Sequence, residues 1–198
     1  MSCRVLVLYW SKGGNTRKVA ETIHKTVQLH GISSEIIEIK AGLEIDAFSY
    51  ELIFVGAPVY FNLAPPPVMK FLQGLRSRAA NLAAAPEKPG HFAVIFCTYG
   101  GGHTGIGEAI PLLKYMGQAF EHEGIRVVEE WPVVGDFPGI NDPHYNTAGR
   151  LGDITGRPNV GDLRIVAGQV SGLLRRLQYK LGIEEQLRMK SDIYKTDH

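Results

Sequence analysis

Val5 to Thr16, VLVLYWSKGGNT, passes from an apolar run through a glycine pair into amide and hydroxyl side chains. Branched and aromatic residues closed by glycine read as a buried strand. Beyond Asn15 the spacing turns helical, with Val19, Ile23 and Val27 on one face. The unit is a strand, a tight turn and a helix. Gly13 and Gly14 let the backbone turn closely, and the first N–H groups of the helix stay free to meet an anion. Ser11, Asn15 and Thr16 add side-chain donors. The turn lacks the Gly-Lys-Ser/Thr of a nucleotide loop and the G-x-G-x-x-G of a dinucleotide turn; it reads as a phosphate-binding strand-loop-helix, with an ordinary strand-to-helix turn as the alternative.

Working outward, strands and helices alternate without an internal repeat. Arg4–Trp10 reads as a strand, Asn15–His30 as a helix ended by Gly31, Ser33–Ile39 as an alternating strand and Glu51–Gly56 as a buried one. Pro67–Leu75 opens a helix after a proline run, and an Ala-rich stretch closes at Pro86–Gly90. His91–Thr98 and Arg126–Val134 are strands around a long helix at Gly105–Glu123. Val160–Tyr179 is a last helix behind an Asn159 cap with Asp162 three residues on. Five strands separated by helices predict a parallel α/β sheet covered on both faces, with ligands at the carboxyl ends of the strands. Residues 1–180 are expected to form one domain. In the tail, 181–198, Leu181, Ile183, Leu187 and Tyr194 follow a partly helical pattern that either docks or frays.

At 198 residues and 44% hydrophobic content the chain is long enough for one full core. Lys plus Arg (21) nearly balances Asp plus Glu (20), so neither nucleic acid nor an acidic membrane surface is an expected partner. Two cysteines, Cys3 and Cys97, fit a reducing compartment, and the short apolar run at 5–10 is neither a signal peptide nor a membrane span; the expected location is the cytoplasm. His24, His30, His91 and His122 lack a partner at metal-ligand spacing, so no metal is expected.

The loops after the third and fourth strands are also unusual. Pro58, Val59, Tyr60, Phe61, Asn62 and Leu63 lead into a proline run, a stiff loop whose two adjacent aromatics cannot both enter the core. Such a loop suits a flat ring, where stacking adds about 0.5–1.5 kcal/mol beyond burial; a proline-stopped loop with one docked aromatic is an equal reading. Thr98, Tyr99, Gly100, Gly101, Gly102 and His103 form a run in which glycines let the backbone approach a ligand. Gly100–Gly105 satisfies G-x-G-x-x-G by letter, but that fingerprint belongs on the first strand-helix turn. Cys97 begins no Cys-x5-Arg loop of the low-molecular-weight tyrosine phosphatases, because the sixth residue on is His103; a small core residue is its expected role.

Ser11–Thr16 fits S-x-x-G-x-T, the loop with which flavodoxins hold the phosphate of FMN, and together the three loops resemble the flavodoxin family over roughly Val5–Leu177. The resemblance implies a flavodoxin-like doubly wound five-stranded sheet in the order 2-1-3-4-5, three layers deep. It implies that Ser11, Lys12, Gly13, Gly14, Asn15 and Thr16 bind the phosphate, Pro58–Leu63 one side of the isoalloxazine, and Thr98–His103 the other side and the pyrimidine end. Tyr60 or Phe61 becomes the inner aromatic and Tyr99 the outer. Gly13 departs from the family, which usually has a hydroxyl at that position, and Lys12 or Arg17 is the available substitute. Gly149–Asp162, GRLGDITGRPNVGD, resembles the ending of FMN-dependent quinone reductases of the same fold, although their long insertion before strand three is absent.

Carrier flavodoxins surround the N1 edge of the flavin with carboxylates, each worth about 2 kcal/mol at ~8 Å and an effective dielectric of ~20, or roughly 90 mV for one electron. Thr98–Gly105 contains no acid and has His103, which favours two-electron chemistry. Asp136–Asn159 is long for a connection and either covers the flavin, with Phe137, His144 and Tyr145 shaping a pocket or meeting a neighbouring subunit, or is a plain surface loop. The expected protein is an FMN-binding redox protein. It serves a partner protein as a carrier, or acts as an FMN-dependent NAD(P)H oxidoreductase on quinones or similar small acceptors; a homo-oligomer is a further expectation, and a flavin-free domain binding another phosphate is a weaker alternative.

Overall fold

The computed structural model describes residues 3–79, 88–140, 142 and 144–183. Five strands, β1 (Arg4–Tyr9), β2 (Ser33–Glu38), β3 (Leu52–Pro58), β4 (Phe92–Tyr99) and β5 (Arg126–Val134), form one parallel sheet in the order 2-1-3-4-5. That is the expected architecture. β1, β3 and β4 sit inside the sheet and are buried along nearly their whole length, which is why they read as continuous apolar runs. β5 is an edge strand blunted by Pro132 and by Glu129 and Glu130.

Helices α1 (Asn15–Leu29) and α5 (Val160–Leu181) cover one face and α2 (Pro66–Ala79) and α3 (Ile110–His122) the other; α4 (His144–Thr147) is a single turn within the expected loop. Under α1 and α5 the core holds Val5, Val7, Ile23, Phe54, Phe96, Val170 and Leu174. Leu6, Leu8, Ile53, Ile95, Leu72, Leu112 and Phe120 fill the opposite layer. Two histidines tie elements together: His30 Nε2 pairs with Ser171 Oγ at 2.9 Å between α1 and α5, and His91 Nδ1 with the Tyr50 carbonyl at 2.9 Å.

The long helix expected at Gly105–Glu123 is divided. Gly105–Glu108 forms a 3-10 turn, and α3 begins at Ile110 with Pro111 in its first turn, where a residue without an N–H costs nothing. At the other end of the chain α5 continues to Leu181, and Gly182 closes it in a left-handed conformation (φ 63). Of the expected tail pattern, Leu187 and Tyr194 lie outside the described residues, as does most of the Ala-rich stretch.

Candidate functional site

The turn after β1 is closed by Ser11, whose Oγ accepts from the Gly14 N–H at 3.1 Å. Gly14 caps α1 in the left-handed region (φ 94), places no side chain over the first turn, and no carboxylate follows in that turn. The positive end of the helix therefore opens on a cleft of about 850 Å³ lined by Ser11, Lys12, Gly13, Asn15 and Thr16. Thr16 is 1% exposed, and its Oγ1 lies 2.7 Å from Thr98 Oγ1, so the loops after β1 and β4 meet through paired hydroxyls. Lys12 is exposed at the cleft. Arg17, the other expected substitute, is committed elsewhere: it lies over the Tyr9 ring at 6.0 Å and pairs with Glu38 at 3.3 Å. Asn15 is committed too, since its Nδ2 donates to the Asp136 carbonyl at 3.0 Å and to Asp136 Oδ1 at 2.9 Å.

After β3, the Val59 N–H donates to the Thr98 carbonyl at 2.9 Å. Tyr60 and Leu63 exchange N–H to carbonyl bonds at 2.9 Å around Phe61 (φ 49) and Asn62 (φ 65). Two consecutive positive φ values make a two-residue hairpin turn, and an aromatic residue held there costs about 1–2 kcal/mol. What that geometry displays is the Phe61 ring, 98% exposed at the tip. Tyr60 meets Trp10 edge to face, with centroids 5.9 Å apart. Trp10, read only as the end of a strand, is the support of this loop.

Tyr99 lines the cleft, but at 7% exposure it belongs to the core layer beneath α2 and α3. Little of the Tyr99 ring is open, whereas Tyr60, Phe61 and Tyr145 are the exposed aromatics of the cleft. Cys97 is buried at the end of β4, and burial pushes its thiol up to about 12, consistent with a packing role and not with a nucleophile. In the glycine run, Glu108 reaches back from the 3-10 turn and accepts from the His103 N–H at 2.7 Å and the Thr104 N–H at 3.0 Å. A carboxylate absent from Thr98–Gly105 is thus brought into it, and His103 is exposed.

The segment after β5 is tied across two of these loops. Phe137 lies on Gly100, where an added Cβ would come within 2.1 Å of the ring, and Pro138 lies on Gly13, where a Cβ would come within 2.2 Å of Cγ. Both glycines are small because something packs there. Asp136, besides holding Asn15, accepts from the Gly156 N–H at 2.9 Å through Oδ2 and donates its own N–H to the Arg157 carbonyl at 2.9 Å. Farther along, Arg150 N–H donates to the Gly102 carbonyl at 2.9 Å. Phe137 and Tyr145 stack edge to face at 6.1 Å. Asp136, Phe137, Pro138, Ile140 and Tyr145 consequently form a wall of the cleft. Sequence reasoning missed Asp136 and Pro138; the signal available was the pair of glycines at 13 and 100.

Gly149–Asp162 ends in a capping unit. Asn159 Oδ1 accepts from the Asp162 N–H at 3.1 Å, Asp162 Oδ2 accepts from the Asn159 N–H at 2.9 Å, and Arg157 grips both carboxylate oxygens, Nε to Oδ2 at 2.9 Å. The Arg157 guanidinium holds the Asp162 carboxyl below the usual carboxylate range. A depressed folded-state pKa adds stability above the unfolded-state pKa, near pH 4, and loses it as pH falls through the folded value. Urea midpoints measured from pH 7 down to pH 2.5 should therefore fall on acidification less steeply in Asp162→Asn than in wild type; parallel curves would remove this carboxylate from the acid response.

Among the described residues no group of three His, Cys, Asp or Glu side chains could hold a metal ion, and no helix is long and apolar enough to cross a membrane. The sequence pattern of a flavodoxin domain matches residues 6–149. The chain belongs to the flavodoxin family. No curated protein matches it. Among solved structures, an archaeal flavodoxin is 16% identical over 88% of this chain and 99% of its own length, with a TM-score of 0.59. The two-electron reduced flavodoxin of Megasphaera elsdenii is 21% identical over 83% of this chain and 98% of its own, at 0.53. Rubredoxin oxygen:oxidoreductase of Desulfovibrio gigas is 16% identical over 90% of this chain, at 0.59, and this chain spans only 37% of that longer protein. At these identities the likeness is one of fold. In this flavodoxin domain the position of Gly13 is filled by contact with Pro138.

Proposed function

We propose that this flavodoxin-family chain binds FMN non-covalently and passes electrons through it. One observation carries the reading: a single cleft joins an uncapped helix N-terminus, with the Thr16 hydroxyl and Lys12, to a stiff turn that displays an aromatic ring. The donor set suits a phosphate. Backbone N–H groups, a buried hydroxyl and one exposed cation meet there with no carboxylate in the first turn of α1. Ser11 shapes the loop, Thr16 donates, Lys12 supplies countercharge, and Asn15 acts indirectly by tying the loop to Asp136. The Tyr60–Leu63 turn and the Gly100–His103 backbone would flank the ring, and Phe137 closes the far side over Gly100. FMN, when held, supplies one- or two-electron transfer.

A second reading, an FMN-dependent NAD(P)H oxidoreductase, is favoured by the mouth of the cleft. Phe61, Ile140 and Tyr145 are 98%, 41% and 55% exposed there, an apolar opening that suits a flat acceptor such as a quinone. A cytoplasmic protein working with a redox partner or with NAD(P)H fits both readings. The deciding experiment is a visible absorbance titration with FMN, followed by anaerobic NADH or NADPH. Saturable binding with rapid bleaching establishes the reductase, and saturable binding without bleaching the carrier. No saturable binding removes both.

A further inference from the structure

The connection from β2 to β3 contains only a 3-10 turn, Ala47–Ser49, where a doubly wound sheet usually carries a helix. One consequence is a groove of about 690 Å³ between this connection and α2, beside the flavin cleft and separated from it by the Trp10–Tyr60 pair. Its walls are mainly apolar: Trp10, Ile39, Leu43, Pro67, Phe71 and Leu75.

We propose that this groove is a second binding site, for a flat aromatic ring bearing one anionic group. Four charged residues line it: Glu38, Lys40, Glu44 and Lys70. Glu38 pairs with Arg17 at 3.3 Å, and Glu44 also has a partner. The side chains of Lys40 and Lys70 are exposed and make no ion pair or hydrogen bond among the described residues, so the charged groups left without a partner in the groove are the two ammoniums. Trp10 and Phe71 put two aromatic rings in the lining for an aromatic body, while the ammonium groups meet its anion. An aliphatic anion leaves the rings unused, and a neutral aromatic leaves the lysines unused. Because Trp10 packs edge to face on Tyr60, which lines the flavin cleft, a ligand here sits against the support of the Tyr60–Leu63 turn.

Calorimetric titration of the full chain with 2-naphthoate, with and without saturating FMN, tests the site. The expected result is one saturable site whose affinity changes by less than about twofold when FMN is present, and falls about fivefold in Lys40→Gln/Lys70→Gln. Uncharged 2-naphthalenemethanol should bind more weakly than 2-naphthoate to wild type and equally to the double variant. Trp10→Leu should weaken the site more than Trp10→Phe. Absence of saturable binding, displacement by FMN, or equal affinity in the lysine variant would overturn the proposal. Should FMN itself fail to bind, the flavin reading falls, while the lysine dependence still decides the groove.

Discussion

Thr16→Val is expected to raise the dissociation constant for FMN between about tenfold and a hundredfold while leaving riboflavin nearly unchanged, because a hydrogen bond to a charged group is worth about 1.5–3 kcal/mol. Thr16 is 1% exposed and its hydroxyl already meets Thr98 Oγ1 at 2.7 Å. That contact fixes the rotamer before any ligand arrives, so one hydroxyl can donate outward while the other donates to it. Valine keeps the shape and removes the oxygen. The loss then has two separable parts. Affinity falls only for the phosphorylated flavin, and thermal stability falls by about 1–3 kcal/mol because the Thr98 hydroxyl is left buried without its partner. Thr98→Val separates them further: it keeps the Thr16 donor but frees its rotamer, so stability should fall as far while FMN affinity falls less. Equal losses for FMN and riboflavin in Thr16→Val would remove Thr16 from the phosphate site.

How far the sequence reaches is set by the range of the interaction being read. Strands β1, β3 and β4 are buried on both faces, so their composition alone marks them. Asn159 and Asp162 lie three residues apart and cap α5 by local bonds, which local pattern finds. The three loops of the cleft follow from strand order. What the sequence left open depends on residues far apart. Asn15 carries a donor suited to phosphate, yet Asp136, distant in the chain, takes both of its bonds. Tyr99 closes an apolar strand and so has an apolar register, which the core layer uses. Glu108 reaches back because the helix expected around it starts later, at Ile110. Whether Asp136–Asn159 is a plain loop or a cover turns on Gly13 and Gly100, which receive Pro138 and Phe137 from more than a hundred and from some forty residues away.

Gly13→Ser, which adds a hydroxyl to the loop after β1, is expected to weaken FMN binding and to destabilise the fold. The backbone at Gly13 is not in the positive-φ region, so serine meets no conformational barrier there. The obstacle is Pro138: a Cβ would lie 2.2 Å from its Cγ and 3.3 Å from its Cδ. A proline ring cannot swing aside as a flexible side chain does. Asp136, two residues before it, is held by Asn15, Gly156 and Arg157, so the segment must move as a unit or the loop after β1 must yield. Overpacking of this kind costs about 1–3 kcal/mol, or roughly 2–12 °C in melting temperature for a chain of this size. Pro138→Ala removes Cγ and Cδ and keeps only Cβ, which is 3.5 Å from the added atom, an ordinary contact. In the Gly13→Ser/Pro138→Ala double variant the melting temperature should return close to that of Pro138→Ala alone, and FMN should bind at least as tightly as to wild type. The double-mutant cycle then reports a coupling of about 1–3 kcal/mol between residues on different loops. Additive effects would mean that Pro138 does not rest on Gly13 in solution, and the strap from Asp136 onward would lose its place as a wall of the cleft.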